Sequence, residues 1–187
     1  MTFNLMIAGV GGQGTVLASK LISAAALKKG FNVRTTETIG MAQRGGCVFG
    51  HVRIGENIFS PLIPLGKANV IIAFEPAEAV RQLPFLCRDG VVLTSSKAIA
   101  PITRSYDAKP MIDYLGKNSP RLIVLDGEKL TEKNAKTLNV SLLGAAAQSG
   151  LLPFDTETLY GILSETLPQN VLEMNIEAFE SGKKLCQ

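Results

Sequence analysis

Three glycines, Gly9, Gly11 and Gly14, stand in the G-x-G-x-x-G spacing within Gly9-Val10-Gly11-Gly12-Gln13-Gly14-Thr15. This spacing suits a main-chain grip on phosphate. The first glycine permits a tight turn, the second a close backbone approach to the phosphate, and the third close packing of helix on strand. A helix opening at Thr15 would add unpaired N–H groups and the positive end of its dipole. A second polar stretch runs Glu37-Thr38-Ile39-Gly40-Met41-Ala42-Gln43-Arg44-Gly45-Gly46. There Arg44 offers a planar guanidinium fork beside exposable backbone donors, a combination that suits phosphate or carboxylate. The candidate cofactor-binding set is therefore Gly9, Gly11, Gly12, Gln13, Gly14, Thr15, Glu37, Gln43, Arg44, Gly45 and Gly46. No catalytic or metal-ligating residue is assigned. Two plainer readings stay open: a tight turn that binds nothing, and a solvated loop carrying a surface arginine.

The surrounding charges narrow the ligand class. A dinucleotide site usually places an acid about 20 residues beyond the glycines to hold the ribose. Here the first acid is Glu37, and the charges before it, Lys20, Lys28, Lys29 and Arg34, are all basic. The stretch suits an anion but fits a nicotinamide site imperfectly. A stand-alone NAD(P)-dependent oxidoreductase would also need a catalytic constellation, and Tyr106, Tyr114 and Tyr160 have no lysine at i+4. His51 is the only histidine, which excludes a histidine-based metal site, and spacing places no Ser, Cys or Asp partner beside it. Cys47, Cys87 and Cys186 are odd in number, widely spaced and without a C-x-x-C pair. That argues against a disulfide framework, and against zinc or an iron–sulfur cluster within this chain. Only Arg44 could activate Cys47 as a nucleophile.

These groups need a frame to hold them. The chain has 187 residues, 46% hydrophobic content and a formal charge of +3. That predicts one domain, residues 1–187, with a full apolar core. No basic run suggests nucleic acid. The apolar start is too short for a signal or a membrane span, which places the expected protein in the cytoplasm. Phe3 to Val10 reads as a buried parallel strand, Thr15 to Lys29 as a helix capped by Gly30, and Phe31 to Thr36 as a second strand completing a βαβ unit. Cys47 to Ile54 alternates, with Val48, Val52 and Ile54 on one face and Cys47, Phe49, His51 and Arg53 on the other. Gly55-Glu56-Asn57 predicts a turn into a hairpin partner at Ile58 to Leu62, so the sheet should be mixed.

Further strands are expected at Ala68 to Phe74, Val91 to Ser95 and Arg121 to Leu125, and helices at Ala77 to Leu86, interrupted by Pro84, and at Ala108 to Gly116. Residues 128–138 read as helix or loop. Asn139 is expected to cap a helix over Val140 to Ser149, and Asp155 or Thr156 one reaching Leu167. A last helix from Gln169 to Ser181 should carry Leu172, Ile176 and Phe179 as its stripe and stop at Gly182. Together these predict a three-layer, Rossmann-like α/β fold with a mixed, mostly parallel sheet, a β-hairpin and a helical C-terminal third.

The glycine stretch, then Gly40-Met41-Ala42-Gln43-Arg44-Gly45-Gly46, Phe59-Ser60-Pro61-Leu62-Ile63-Pro64 and Ala73-Phe74-Glu75 resemble a known family. It is the beta-subunit branch of the indolepyruvate:ferredoxin oxidoreductases, within the gamma-type subunits of pyruvate and other 2-oxoacid:ferredoxin oxidoreductases. The likeness extends to Asn139-Val140-Ser141-Leu142-Leu143-Gly144 and residues 175–179. It implies oxidative decarboxylation of an aryl 2-oxoacid to an acyl-CoA with reduction of ferredoxin. Thiamine diphosphate, Mg and 4Fe–4S clusters would sit on a large alpha subunit as partner, which would pass electrons on to ferredoxin. Coenzyme A would be bound in this chain or at its interface. The residues agree with that division. Leu125-Asp126-Gly127 is an incomplete Gly-Asp-Gly thiamine turn, and no cluster spacing occurs. A ligand-free assembly subunit is the remaining alternative.

Overall fold

The computed structural model describes residues 2–38, 46–99 and 106–186. Six strands form one sheet in the order β2-β3-β1-β4-β5-β6. The strands are β1 (Thr2–Val10), β2 (Asn32–Glu37), β3 (Cys47–Gly55), β4 (Ala68–Ala73), β5 (Leu86–Ser95) and β6 (Arg121–Leu125). β1, β4, β5 and β6 pair in parallel. β3 runs antiparallel to both β1 and β2. The sheet is mixed, as expected, but for a different reason.

The expected hairpin partner at residues 58–62 is not a strand; β3 instead pairs back on β2, from Thr36 opposite His51 to Asn32 opposite Gly55. The β1–α1–β2 unit is likewise not a pair of neighbouring strands, because β3 is inserted between them. The residues explain the insertion. One face of β3 offers Val48, Val52 and Ile54 to the core, so it can sit centrally. β2 presents Asn32, Arg34 and Thr35 to solvent and takes the edge.

Helices cover both faces. On one lie α1 (Thr15–Lys28), α5 (Leu138–Gln148), α6 (Thr156–Thr166) and α7 (Gln169–Lys184), which enclose Leu5, Ile7, Ile72, Phe74 and Leu93. On the other lie α2 (Pro76–Gln82) and α3 (Lys109–Asn118), over Met6, Ala8, Ile71, Ala73 and Val92. Residues 128–138 hold a short α4 (Gly127–Thr131) and one 3₁₀ turn. The interruption expected at Pro84 is present: α2 ends at Gln82 and a second 3₁₀ turn, Leu83–Phe85, follows, because Pro84 cannot donate to the ladder.

The C-terminal helix departs most from expectation. α7 does not stop at Gly182 but continues to Lys184. Its buried positions are Asn175, Ala178, Phe179 and Gly182, whereas Leu172 and Ile176 are only half-buried. Gly182 and Gly144 are contact points. A Cβ on Gly182 would strike the Ser141 carbonyl, and one on Gly144 the Phe179 carbonyl. α5 and α7 therefore touch backbone to backbone. α6 is tied to the end of α1 by Lys28–Glu165 and Lys29–Asp155 ion pairs. Asp155 also caps α6, accepting from the Thr158 N–H.

Candidate functional site

The glycine stretch leaves the carboxyl end of β1 and enters α1. Gly12 (φ +99°) and Gly14 (φ +78°) hold left-handed backbone conformations that other residues rarely adopt. The three glycines of the spacing act differently from their expected roles. A Cβ on Gly9 would meet Gln13 Oε1 at 2.8 Å and the Phe74 ring at 3.1 Å. The Gly11 N–H is not free for a ligand, because it donates to the Gly46 carbonyl at 2.9 Å. Gly14 makes its close approach to α5, not to a strand: a Cβ there would strike the Asn139 side chain. Asn139 is not the cap of α5. It lies inside the helix, buried, with Nδ2 donating to the Gly14 carbonyl (3.2 Å) and Oδ1 accepting from the Val140 N–H (2.9 Å). Gln13 pins the turn from its other side. Its Oε1 accepts from the Val10 N–H at 2.6 Å and its Nε2 donates to the Phe74 carbonyl at 3.2 Å.

The Gly11–Gly46 hydrogen bond joins the two stretches that the sequence singled out. Beside it opens a cavity of about 340 Å³ lined by Gly11, Gly12, Gly14, Thr15, Val16, Thr38 and Val48. α1 begins there with no side-chain cap and no acid in its first turn. Its leading N–H groups and positive dipole end thus remain available to an anion. Gln43, Arg44 and Gly45 lie outside the described residues; Gly46 is the end of their loop that the structure places. Glu37 is not part of this cavity. It lines a separate open groove on the flank of α1 with Ser19, Lys20 and Ser23. Thr38, just past β2, and Val48, on β3, reach the turn only through the pairing of β2 with β3, which local sequence does not reveal.

A second cavity, about 280 Å³, lies across the same turn, with Val10, Gly11, Gly12 and Gln13 on one side and Lys97, Ile99, Thr131 and Lys136 on the other. Lys97 is engaged there, donating to Thr131 Oγ1 (2.7 Å) and Glu128 (3.2 Å).

Beneath this end of the sheet sits a buried acidic group. Glu75 caps α2, one carboxylate oxygen accepting the Glu78 N–H at 3.0 Å. Its Oε1 has no partner among the described residues. Burial pushes its carboxyl up to about 7. Glu78 is also buried, with Oε1 3.3 Å from Arg81. The Cys47 thiol is pushed up to about 12, first by burial and then by the neighbouring Glu78 carboxylate. That favours the protonated thiol, and Arg44, a group that could oppose it, lies outside the described residues. His51 is buried between the edges of Phe49 and Phe85, its Nδ1 accepting from the Ile63 N–H at 3.1 Å. Burial holds its imidazole below the ordinary value, and it serves packing. Among the described residues, no three His, Cys, Asp or Glu side chains converge where they could hold a metal ion. No helix among them is long and apolar enough to cross a membrane.

Comparison with known proteins places this geometry. The model of the pyruvate ferredoxin/flavodoxin oxidoreductase family matches residues 4–185. The chain belongs to that family. It is 37% identical to the indolepyruvate oxidoreductase subunit IorB of Thermococcus kodakarensis, over 97% of this chain and 95% of the relative. Within the family it is a gamma-type small subunit of a 2-oxoacid:ferredoxin oxidoreductase. The fold agrees with the gamma subunit of a keto/oxoacid ferredoxin oxidoreductase from Geobacter sulfurreducens (TM-score 0.75, 19% identity, 100% of this chain and 97% of that one). It also matches part of the 2-oxoglutarate:ferredoxin oxidoreductase of Magnetococcus marinus, solved with 2-oxoglutarate, coenzyme A and succinyl-CoA (TM-score 0.72, 21% identity). There it covers 99% of this chain but 31% of that one.

Proposed function

We propose that this subunit grips coenzyme A for an indolepyruvate:ferredoxin oxidoreductase acting on aryl 2-oxoacids. The observation that carries this reading is the convergence of the glycine turn and the start of β3, joined by the Gly11–Gly46 hydrogen bond beside the uncapped α1 N-terminus. A diphosphate over Gly12 to Thr15 would receive backbone donors and the helix dipole without the acid that a nicotinamide ribose wants. Arg44, two residues before Gly46, would add a charge-assisted contact. The coenzyme A in the Magnetococcus complex supports the same ligand class.

The full reaction removes CO₂ from the oxoacid, passes two electrons to ferredoxin and transfers the acyl group to the coenzyme A sulfur, whose proton is released. Thiamine diphosphate with Mg and the 4Fe–4S clusters belong to the large alpha subunit and would supply the carbanion and electron-transfer chemistry there. This chain's own residues bind and orient the thiol carrier, so their gain is proximity rather than a catalytic side chain. The whole assembly would work in the cytoplasm, with ferredoxin docking on the partner.

Calorimetric titration of the assembled heteromer with coenzyme A tests the reading. Arg44→Ala should cost about 1.5–3 kcal/mol, roughly ten- to a hundredfold in affinity, with assembly intact. Wild-type affinity in that variant would count against it. The isolated chain should show no oxoacid-dependent ferredoxin reduction until the large subunit is added.

A further inference from the structure

Residues 56–67, between β3 and β4, cross the α2 side of the sheet without forming a strand. Over residues 57–66 this strap carries no charged side chain. Ile58 and Ile63 point inward and are buried. Phe59, Leu62 and Leu65 point outward and are 94%, 59% and 67% exposed. A fully exposed phenylalanine is commonly explained by a floppy loop, but this strap is held. Arg53 Nη1 donates to the carbonyls of Ser60 (2.9 Å) and Leu62 (3.2 Å), while its Nε donates to Asn4 Oδ1 (2.9 Å). The Ile63 N–H is received by His51, and the Gly66 N–H by the Pro84 carbonyl at 2.9 Å. The outward side chains are thus presented on a backbone fixed from beneath.

We propose that this strap is a docking knuckle for the large subunit of the same enzyme, with Phe59 entering an apolar socket on that partner. The inference rests on the heteromeric reading above. Three observations choose this occupant. The chain is a subunit, and in the Magnetococcus enzyme the same fold makes up 31% of one longer polypeptide, so it operates alongside further domains. The three outward side chains expose roughly 400 Å² of apolar surface, about half of what one partner contributes to a standard interface and suited to its dry centre. The strap carries no charge over residues 57–66, so covering it strips no ionised side chain of water, as suits the centre of a contact between subunits. Rigid presentation lowers the ordering cost of binding, and a buried aromatic is the usual anchor of such a contact.

Sedimentation velocity of this chain mixed with the separately purified large subunit is the test. Phe59→Asp should weaken assembly by about a hundredfold and Phe59→Ala by about tenfold, both leaving circular dichroism unchanged. Leu27→Asp, on α1 across the sheet and 59% exposed, should assemble as the wild type does. The chain contains no tryptophan. Phe59→Trp carrying 5-hydroxytryptophan, excited to the red of ordinary tryptophan, should shift to the blue and lose access to iodide when the partner is added. Assembly of Phe59→Asp at wild-type affinity, or a label still quenched in the complex, overturns the proposal. A wild-type chain that dimerises alone and is made monomeric by Phe59→Asp overturns it in favour of a second copy. If the wild-type chain never assembles with the large subunit, it is the heteromeric reading that fails.

Discussion

Gly14 shows what a single residue contributes to this site. Its left-handed backbone lets the turn enter α1, and its missing side chain leaves room for Asn139, which bonds its carbonyl. Gly12 is equally left-handed but has open space where a Cβ would go. Gly12→Ala should therefore cost backbone strain alone, about 1 kcal/mol, whereas Gly14→Ala should cost strain plus displacement of Asn139, about 3 kcal/mol in total. Urea unfolding of both variants checks this; equal losses would mean that Asn139 yields freely. Glu75 makes a second prediction at this scale. Its folded-state carboxyl lies near 7 against 4.5 unfolded, so the folded chain holds a proton that the unfolded chain has released. The stability from this group is fully present below about 4.5 and is lost as pH rises through about 7. His51 contributes in the opposite sense, because its folded value is lowered. The difference between Glu75→Gln and wild type isolates the first effect. The variant's advantage in Tm should grow from about pH 5 to about pH 8, and a constant difference would exclude a raised Glu75.

Among the elements, the α5–α7 contact illustrates how glycine misleads a reading of sequence alone. A glycine after an apolar stripe is the usual sign of a helix end, yet Gly182 is internal because α7 passes directly against the Ser141 carbonyl. Gly182→Ala should force the helices apart and cost about 3 kcal/mol, read as a lower midpoint in thermal or urea unfolding. Gly150→Ala, with a positive φ but open space around it, is the control and should lose about 1 kcal/mol. An equal effect at both positions would remove the close helix contact from the explanation. The strap between β3 and β4 carries a related lesson. Its alternating apolar residues resemble a strand, but Arg53 and His51 capture its backbone groups before any neighbouring strand can.

For the molecule as a whole, chain and fold supply different parts of the function. The likeness of several longer motifs pointed to the family. Glycine spacing and apolar runs were enough to place a tight glycine turn at the end of β1 and to indicate a three-layer α/β architecture. These are local properties, set by φ preferences, hydrophobic periodicity and charge within a few residues. The insertion of β3 between β1 and β2, the use of the Gly11 N–H by Gly46, the reach of Asn139 to Gly14 and the separation of Glu37 from the cavity could not be read that way. Each is a pairing of groups distant in the chain, selected by which arrangement buries both sheet faces and satisfies the backbone donors together. Strand order and long-range hydrogen bonds are settled only when the whole core closes.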